Sequence, residues 1–359
     1  MKKIFAKIFA KYIKWKENKW INHPISAQEK VFKTLIKEGL RTKYGKDHDF
    51  ASIRNYNDFK LRVPISDYEK IKPYINQVLK GKKNILWPGK PIYLAKTSGT
   101  TSGIKYIPIT KESMPNHIIS ARNAILNYID KTGSVDFIEG KQIFIQGSPI
   151  LENLNGIYLG RLSGIVAHHV PSYLLKSRMP TWKTNCIEDW ETKVDSIVLE
   201  TLNEKMTVIG GIPSWVQMYF EKIISKTGKK INKVFPEFSL FIHGGVNFEP
   251  YQKMFDNLIG KKINSIELYP SSEGFIAYQD RLNEGGLLLL LNSGIFYEFV
   301  ESDKFFDSDP IRISLKDIKI GVNYVIILSS NAGLWSYNIG DTIRFISKKP
   351  YRIVVTGRI

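Results

Sequence analysis

Between residue 91 and about residue 280 the chain repeats one local pattern that restricts the fold more than any other feature. A short apolar run ends in a cluster of glycine, serine or proline, and a helical stretch follows. Residues 142–146 run into Gly-Ser-Pro, 207–209 into Gly-Gly-Ile-Pro, 240–243 into Gly-Gly, and 265–269 into Pro-Ser-Ser-Glu-Gly. Pro213 and Pro250 stand where a helix tolerates proline, in a first turn whose N–H groups have no intrahelical acceptor. Strands alternating with helices predict an α/β fold with a mostly parallel sheet flanked by helices. In such sheets ligands collect beyond the carboxyl ends of the strands. The polar clusters lie at those ends, so one shared site is expected.

Residues 1–90 read as mostly helical, without identifiable chemistry. From residue 286 the texture becomes antiparallel. Residues 287–291, an Asn-Ser-Gly turn and residues 295–300 read as a hairpin, and 324–328, 334–337 and 342–346 as further strands. The expected organisation is a helical N-terminal region and α/β part over 1–285, then a β-rich subdomain over 286–355.

A chain of 359 residues can bury a large core. Its single cysteine, Cys186, rules out a disulfide framework and fits a reducing compartment, so a cytoplasmic location is expected. The longest apolar run, over 286–291, has the length of a strand and not of a membrane span. Lysines interrupt the N-terminus and no signal peptide is read there. The net charge of +18 is dispersed among acids, and no nucleic-acid partner is expected. The excess is densest in the first 20 residues. There Ile4, Phe5, Ile8, Phe9, Tyr12, Ile13 and Trp15 can form one apolar helical stripe. Such a stripe can lie on an anionic membrane surface or pack on its own domain. Packing is its ordinary fate and is the expectation.

The densest chemistry is Thr97-Ser-Gly-Thr-Thr-Ser-Gly-Ile-Lys105, directly after an apolar strand at 91–95. Glycines let backbone N–H groups converge on one spot, hydroxyls add donors, and a lysine past the turn reaches a phosphate as a mobile charge. The loop suits a polyphosphate, although its spacing is not that of a Walker A loop. Two further segments are Glu267-Leu-Tyr-Pro-Ser-Ser-Glu-Gly274 and Tyr337-Asn-Ile-Gly-Asp341.

A hydroxyl-rich loop, then Tyr-x-x-Ser-Glu-Gly, then Tyr-x-x-Gly-Asp, in this order, resembles the GH3 family of acyl-acid amido synthetases. That family belongs to the acyl-adenylate-forming superfamily. Ala27-Gln28, Arg62-Val-Pro-Ile-Ser-Asp-Tyr68 and Lys72-Pro-Tyr-Ile75 extend the likeness over essentially the whole chain. The resemblance implies the large N-terminal domain of the acyl-adenylate-forming fold, with ATP and Mg²⁺ as cofactors. It implies that Ser98, Gly99, Thr100, Thr101, Ser102, Gly103 and Lys105 hold the β- and γ-phosphates. Glu273 would hold Mg²⁺, Ser271 and Ser272 would face the nucleotide with Ser272 donating to the α-phosphate, and Tyr269 would stack on adenine. Asp341 would accept from the ribose hydroxyls, and Arg358 would approach the nucleotide from a hinge. Gly210-Gly-Ile-Pro-Ser-Trp215 resembles a segment lining the acid site, which makes Ile212, Trp215 and Phe248 substrate candidates.

In the family a hinge here leads into a small mobile C-terminal domain that supplies a lysine for adenylation. The sequence reaches only the start of such a hinge, 356–359, and the expectation is a chain without that domain. Three readings follow. One is ATP-dependent activation of a small carboxylic acid with transfer to an amine or amino acid. The second has the same activation with a thiol acceptor. The third is an ATP- or AMP-binding protein that is catalytically incomplete.

Overall fold

The computed structural model describes residues 1–98, 103–282 and 284–359. The helical N-terminal region consists of α1 (Lys2–Ile21), α2 (Pro24–Gly39), α3 (Lys43–Asp47), α4 (Tyr56–Arg62) and α5 (Tyr68–Leu79). Local chemistry sets where these helices begin. Asn55 and Asp58 form a reciprocal capping box on α4, and the Asp67 carboxylate accepts the Lys70 N–H to open α5.

Then follow β1 (Tyr93–Ser98), β2 (Ile104–Ile109), α6 (Met114–Thr132), β3 (Lys141–Ile145), β4 (Glu152–Leu154), β5 (Ile157–Gly160), α7 (Leu162–Ala167), β6 (Arg178–Met179), α8 (Trp182–Asn185) and α9 (Trp190–Thr201). The middle of the chain holds β7 (Met206–Gly211), α10 (Pro213–Thr227), α11 (Ile231–Val234), β8 (Leu240–Gly244), α12 (Glu249–Ile259) and β9 (Asn264–Ser271). The remainder is β10 (Gly274–Tyr278), β11 (Leu287–Leu289), β12 (Ile295–Glu301), β13 (Ile313–Ser314), β14 (Asn323–Ser330), β15 (Tyr337–Lys348) and β16 (Tyr351–Arg358).

These strands form a four-stranded sheet, β2-β1-β5-β4, and a twelve-stranded sheet, β13-β12-β14-β15-β16-β11-β10-β9-β8-β7-β3-β6. From β6 to β9 the large sheet is parallel, as the strand–helix alternation predicts. From β9 onward its pairings are antiparallel. Arg352 on β16 forks onto Asp280, just past β10, at 2.8 and 2.7 Å, and both groups are buried. The N-terminal helices dock through Trp335, which is fully buried. Its ring packs on Phe50 and Tyr44, and its indole N–H donates to the Leu86 carbonyl at 3.1 Å.

Four expectations are corrected. No helix follows β9: the run Gly-Phe-Ile-Ala-Tyr, buried throughout, folds straight back as β10. Residues 287–291 and 295–300 do not pair as a hairpin, since β11 lies between β10 and β16 while β12 pairs with β13 and β14. The reason is Gln28 of α2. Its amide donates to the carbonyls of Leu291 and Ile295 at 2.9 and 2.8 Å and accepts the Tyr297 N–H at 2.9 Å. A buried side chain thus takes the backbone groups that a hairpin would have paired. Residues 334–346 do not make two strands, because β15 runs unbroken from Tyr337 and carries a bulge.

Most of the apolar stripe of α1 does not face the core. Of its members Ile4, Phe5, Ile8, Tyr12 and Trp15 are exposed and Phe9 packs at the core's edge, while Ile13 is buried on the face that also holds Ala10, Glu17 and Trp20. Glu17 decides which face docks. Its carboxylate accepts from the Tyr278 hydroxyl at 2.8 and 2.9 Å, from Asn123 Nδ2 at 3.0 Å and from Asn127 Nδ2 at 2.7 Å. Turning the stripe inward would strip a buried polar cluster of its partners and leave the Tyr278 hydroxyl and two asparagine amides without the carboxylate they donate to.

Gln28→Met keeps side-chain volume but leaves two buried carbonyls and one N–H unpaired. At about 1–3 kcal/mol for each abandoned group, the variant is expected to lose at least ~3 kcal/mol in urea unfolding. A loss below about 1 kcal/mol would show that the backbone there finds other partners.

Candidate active site

The carboxyl ends of β7, β8 and β9 reach one edge of the sheet. Register sets Gly211 beside His243 and Gly244 beside Leu268. At that edge β9 turns through Ser272 and Glu273 into β10. The turn is held by its own side chains: the Ser271 hydroxyl donates to the Glu273 carboxylate, and the Glu273 N–H donates back to Ser271 Oγ at 3.3 Å. Burial pushes the Glu273 carboxyl above the usual carboxylate range. The Ser271 bond and the Arg358 cation oppose that shift, and the nearby Asp341 charge adds to it.

Asp341 reaches the same place from β15. Between the pairs Val325–Thr342 and Ile327–Asn338 the register slips, so β15 bulges against β14. Gly340 sits in the bulge at φ +86°, a conformation that side chains rarely adopt, and a Cβ there would lie 3.1 Å from the Arg358 guanidinium. Asp341 therefore projects from a strand, not from the connecting turn that its glycine neighbour suggested. The Tyr269 hydroxyl donates to its Oδ2 at 2.5 Å, and Arg358 Nε lies 3.1 Å from its Oδ1. Arg358, at the end of β16, also donates to the Ile339 carbonyl at 2.8 Å. The three strands β9, β15 and β16 meet on this one carboxylate. The Tyr269 phenol is pushed far up, first by burial and then by the Asp341 charge, so it stays a proton donor. Its ring is 9% exposed.

The hydroxyl-rich loop comes from the smaller sheet. Gly99, Thr100, Thr101 and Ser102 lie outside the described residues. Ser98 ends β1 and Gly103 precedes β2, with β1 and β2 paired antiparallel, so the loop joins a hairpin. Lys105 lies on β2, its Nζ 5.8 Å from the centre of the Tyr68 ring. The Tyr68 hydroxyl in turn accepts the Tyr106 N–H at 3.0 Å. Two residues earlier, Ser66 bridges to Tyr337 at the start of β15. Burial holds the Tyr337 phenol protonated, and Glu273, Asp67 and Tyr68 push in the same direction while Arg358 opposes them. Tyr337 thus pairs with the Ser66 segment, whose Tyr68 lies against Lys105. Neither it nor Tyr68 was singled out as a site residue, although both stand in the quoted motifs.

The acid-site candidates divide. Ile212, the N-cap residue of α10, is 37% exposed beside Gly245. Trp215 packs on Trp190 with ring centres 4.5 Å apart, and Phe248 packs on His243 at 4.3 Å and on Phe241. Both are half-buried against the core under β7 and β8. His243 is buried with an unpartnered Nδ1, and burial depresses its pKa to about 4, so its ring is neutral at physiological pH. It turns a strand-end position into an uncharged, largely aromatic wall. No helix among the described residues is long and apolar enough to cross a membrane.

Comparison with known proteins gives this geometry a context. The GH3 family N-terminal domain matches residues 16–145 and 137–263, and the GH3 family central domain matches residues 288–358. A jasmonoyl–L-amino acid synthetase of Nicotiana attenuata, JAR4, is 21% identical over 387 residues, covering 88% of this chain and 66% of its own. The chain thus spans about two thirds of the length of such relatives. The solved structure of the AtGH3.15 acyl acid amido synthetase in complex with 2,4-DB superposes with a TM-score of 0.74 at 16% identity, covering 93% of this chain and 68% of that one. A 2-hydroxyisobutyryl-CoA ligase superposes with a TM-score of 0.63 at 11% identity, covering 94% and 68%. These likenesses show the acyl-adenylate-forming fold.

The raised carboxyl of Glu273 carries a sign that can be measured. A carboxyl whose folded pKa lies above its unfolded value costs stability once ionised, and that cost vanishes as pH falls through the folded pKa. Glu273→Gln is therefore expected to melt above the parent at pH 8, with a gap that closes toward pH 4. Thermal melts across that range check it. A gap independent of pH, or a less stable variant at pH 8, contradicts the assignment.

Proposed function

The chain belongs to the GH3 family, and from that premise we propose that it activates a small carboxylic acid with ATP and passes the acyl group to an amine or amino acid. The observation that supports this most is the convergence of Tyr269, Asp341 and Arg358 beside Glu273 at a strand end. Residues of two sequence motifs, 72 positions apart, meet there with Arg358. The relatives, a jasmonoyl–L-amino acid synthetase and an acyl acid amido synthetase among them, suggest the substrate classes, an acyl acid and an amino acid.

In the first half-reaction a carboxylate oxygen attacks the α-phosphorus and pyrophosphate leaves. In the second, the amine nitrogen attacks the acyl carbon, loses a proton, and AMP leaves. Both reactants of the first step are anions, so positioning and charge neutralisation dominate. Magnesium, when bound, neutralises phosphate charge, and it favours a carboxylate together with phosphate oxygens. Glu273, which follows Tyr-x-x-Ser at the end of β9, is the carboxylate assigned to the cation by the family resemblance. The hydroxyl-rich loop and Lys105 are assigned to the outer phosphates, Ser272 to the α-phosphate, Asp341 to the ribose, and the Tyr269 ring to the base. Ile212, Phe248 and the neutral His243 line the acid side. A lone cysteine and the use of ATP fit the cytoplasm.

The deciding experiment is acid-dependent exchange of pyrophosphate into ATP over a panel of aromatic and aliphatic acids. Products are then trapped with amino acids and, separately, with coenzyme A. Exchange and an amide product are expected. A thioester instead would reassign the acceptor, and nucleotide binding without exchange would leave a binding protein. Glu273→Gln is expected to weaken Mg²⁺-dependent ATP binding at least tenfold, about 1.4 kcal/mol. An unchanged Mg²⁺ dependence removes Glu273 from the metal site. Asp341→Ala is expected to weaken ATP and AMP alike while sparing their 2′,3′-dideoxy analogues. Equal losses for both nucleotide types would exclude ribose recognition.

A further inference from the structure

The outward face of α1 plays no part in the chemistry above, yet it is organised. Ile4, Phe5, Ile8, Tyr12 and Trp15 are each more than half exposed, from 51% at Tyr12 to 70% at Phe5. At 3.6 residues per turn these five fall within a sector of roughly 100°. Their rings form a rail with half-buried Phe9: centres are 6.1 Å apart for Phe5–Phe9, 6.4 Å for Phe9–Tyr12 and 6.0 Å for Tyr12–Trp15. Lys7 and Lys11 border the sector on one side and Lys2 and Lys16 on the other. At its end Lys19 places Nζ 3.9 Å over the Trp15 ring.

The charge on this face has one sign. Lys3 turns away to Asp136 and Glu139, and Lys14 to Asn127. Lys2, Lys7, Lys11 and Lys16 make no ion pair among the described residues. The only acid of the helix, Glu17, is buried on the opposite side. The match to the GH3 N-terminal domain begins at residue 16, so the stripe through Trp15 stands ahead of it.

We propose that α1 docks this protein on an anionic lipid bilayer, lying in the plane of the surface. The five apolar side chains enter the boundary between headgroups and acyl chains, and the bordering lysines meet the lipid phosphates. The helix carries too many lysines to cross a membrane, but a cationic helix with an outward aromatic and aliphatic sector suits the interface. The Glu17 cluster on the reverse face fixes the roll of the helix, so the sector is presented without rearrangement. A second copy of the chain is a poor occupant, because a face bordered by lysines would meet a molecule of net charge +18. The proposal stands apart from the adenylation reading and its test involves no turnover.

The experiment floats the purified full chain with vesicles of phosphatidylcholine alone and of phosphatidylcholine mixed with phosphatidylserine, at low and high salt. Binding at least about tenfold tighter to the mixed vesicles at low salt, falling as salt rises, is expected. The triple variant Phe5→Ser, Ile8→Ser, Trp15→Ser is expected to lose that binding at least tenfold while keeping the parent's melting temperature. The triple variant Lys7→Gln, Lys11→Gln, Lys16→Gln is expected to lose the preference for phosphatidylserine. It decides the matter should the serine variant melt early. No flotation of the parent overturns the proposal, as does equal flotation of a well-folded serine variant. So does self-association that the serine changes abolish while no vesicle is bound, which would assign the face to a second copy.

Discussion

A sheet that is parallel at one edge and antiparallel at the other must reverse direction somewhere, and here the reversal is the turn from β9 into β10. The parallel half delivers strand ends to one rim, as every strand–helix unit does. The antiparallel half sends strands back past the same rim, so β15 and β16 can hand side chains to β9 directly. This is why Asp341 meets Tyr269 and Arg358, groups that neither half would bring together alone. The turn itself leaves Ser271 and Glu273 no room to wander, since each is bonded to the other.

Much of the parallel half was legible. β3, β7, β8 and β9 lie where residues 142–146, 207–209, 240–243 and 265–269 pointed, and β7 and β8, buried along almost their whole length, read as near-continuous apolar runs. Tyr269, Asp341 and Arg358 were singled out through the family resemblance of the motifs, and in the structure they contact one another. What was not legible depends on distant partners. The hairpin expected after residue 286 fails because of Gln28, more than 260 positions away. Local turn chemistry contains no trace of it. Tyr269 illustrates the same limit, for its ring was read as a stacking surface while its hydroxyl serves Asp341 from 72 positions away.

Helix α1 shows a different kind of failure. Its sequence holds two apolar sectors, one large and aromatic and one built from Ala10, Ile13 and Trp20. Hydrophobic periodicity favours the first. The second wins because it contains Glu17, for which Asn123, Asn127 and Tyr278 form a ready-made receptacle. A charged residue that looks solvent-facing in the sequence is what turns the helix inward on that side. Specificity of docking is thus set by a polar contact, and the hydrophobic pattern follows.

The position of β16 has a consequence for how the chain is assembled. It lies in the middle of the large sheet, between β15 and β11, and Arg352 locks it to Asp280 beside β10. Remove it and the sheet falls into two blocks, β13-β12-β14-β15 and β11-β10-β9-β8-β7-β3-β6. On the ribosome residues 351–358 emerge after all the strands that they join. At about 5–20 residues per second the edge of the β11 block stays open for several seconds, and for about the last second it faces the open edge of the completed β15 block. The proposed nucleotide site spans that gap, because Arg358 comes from β16, Tyr269 from one block and Asp341 from the other. Its assembly is therefore coupled to insertion of a single keystone strand.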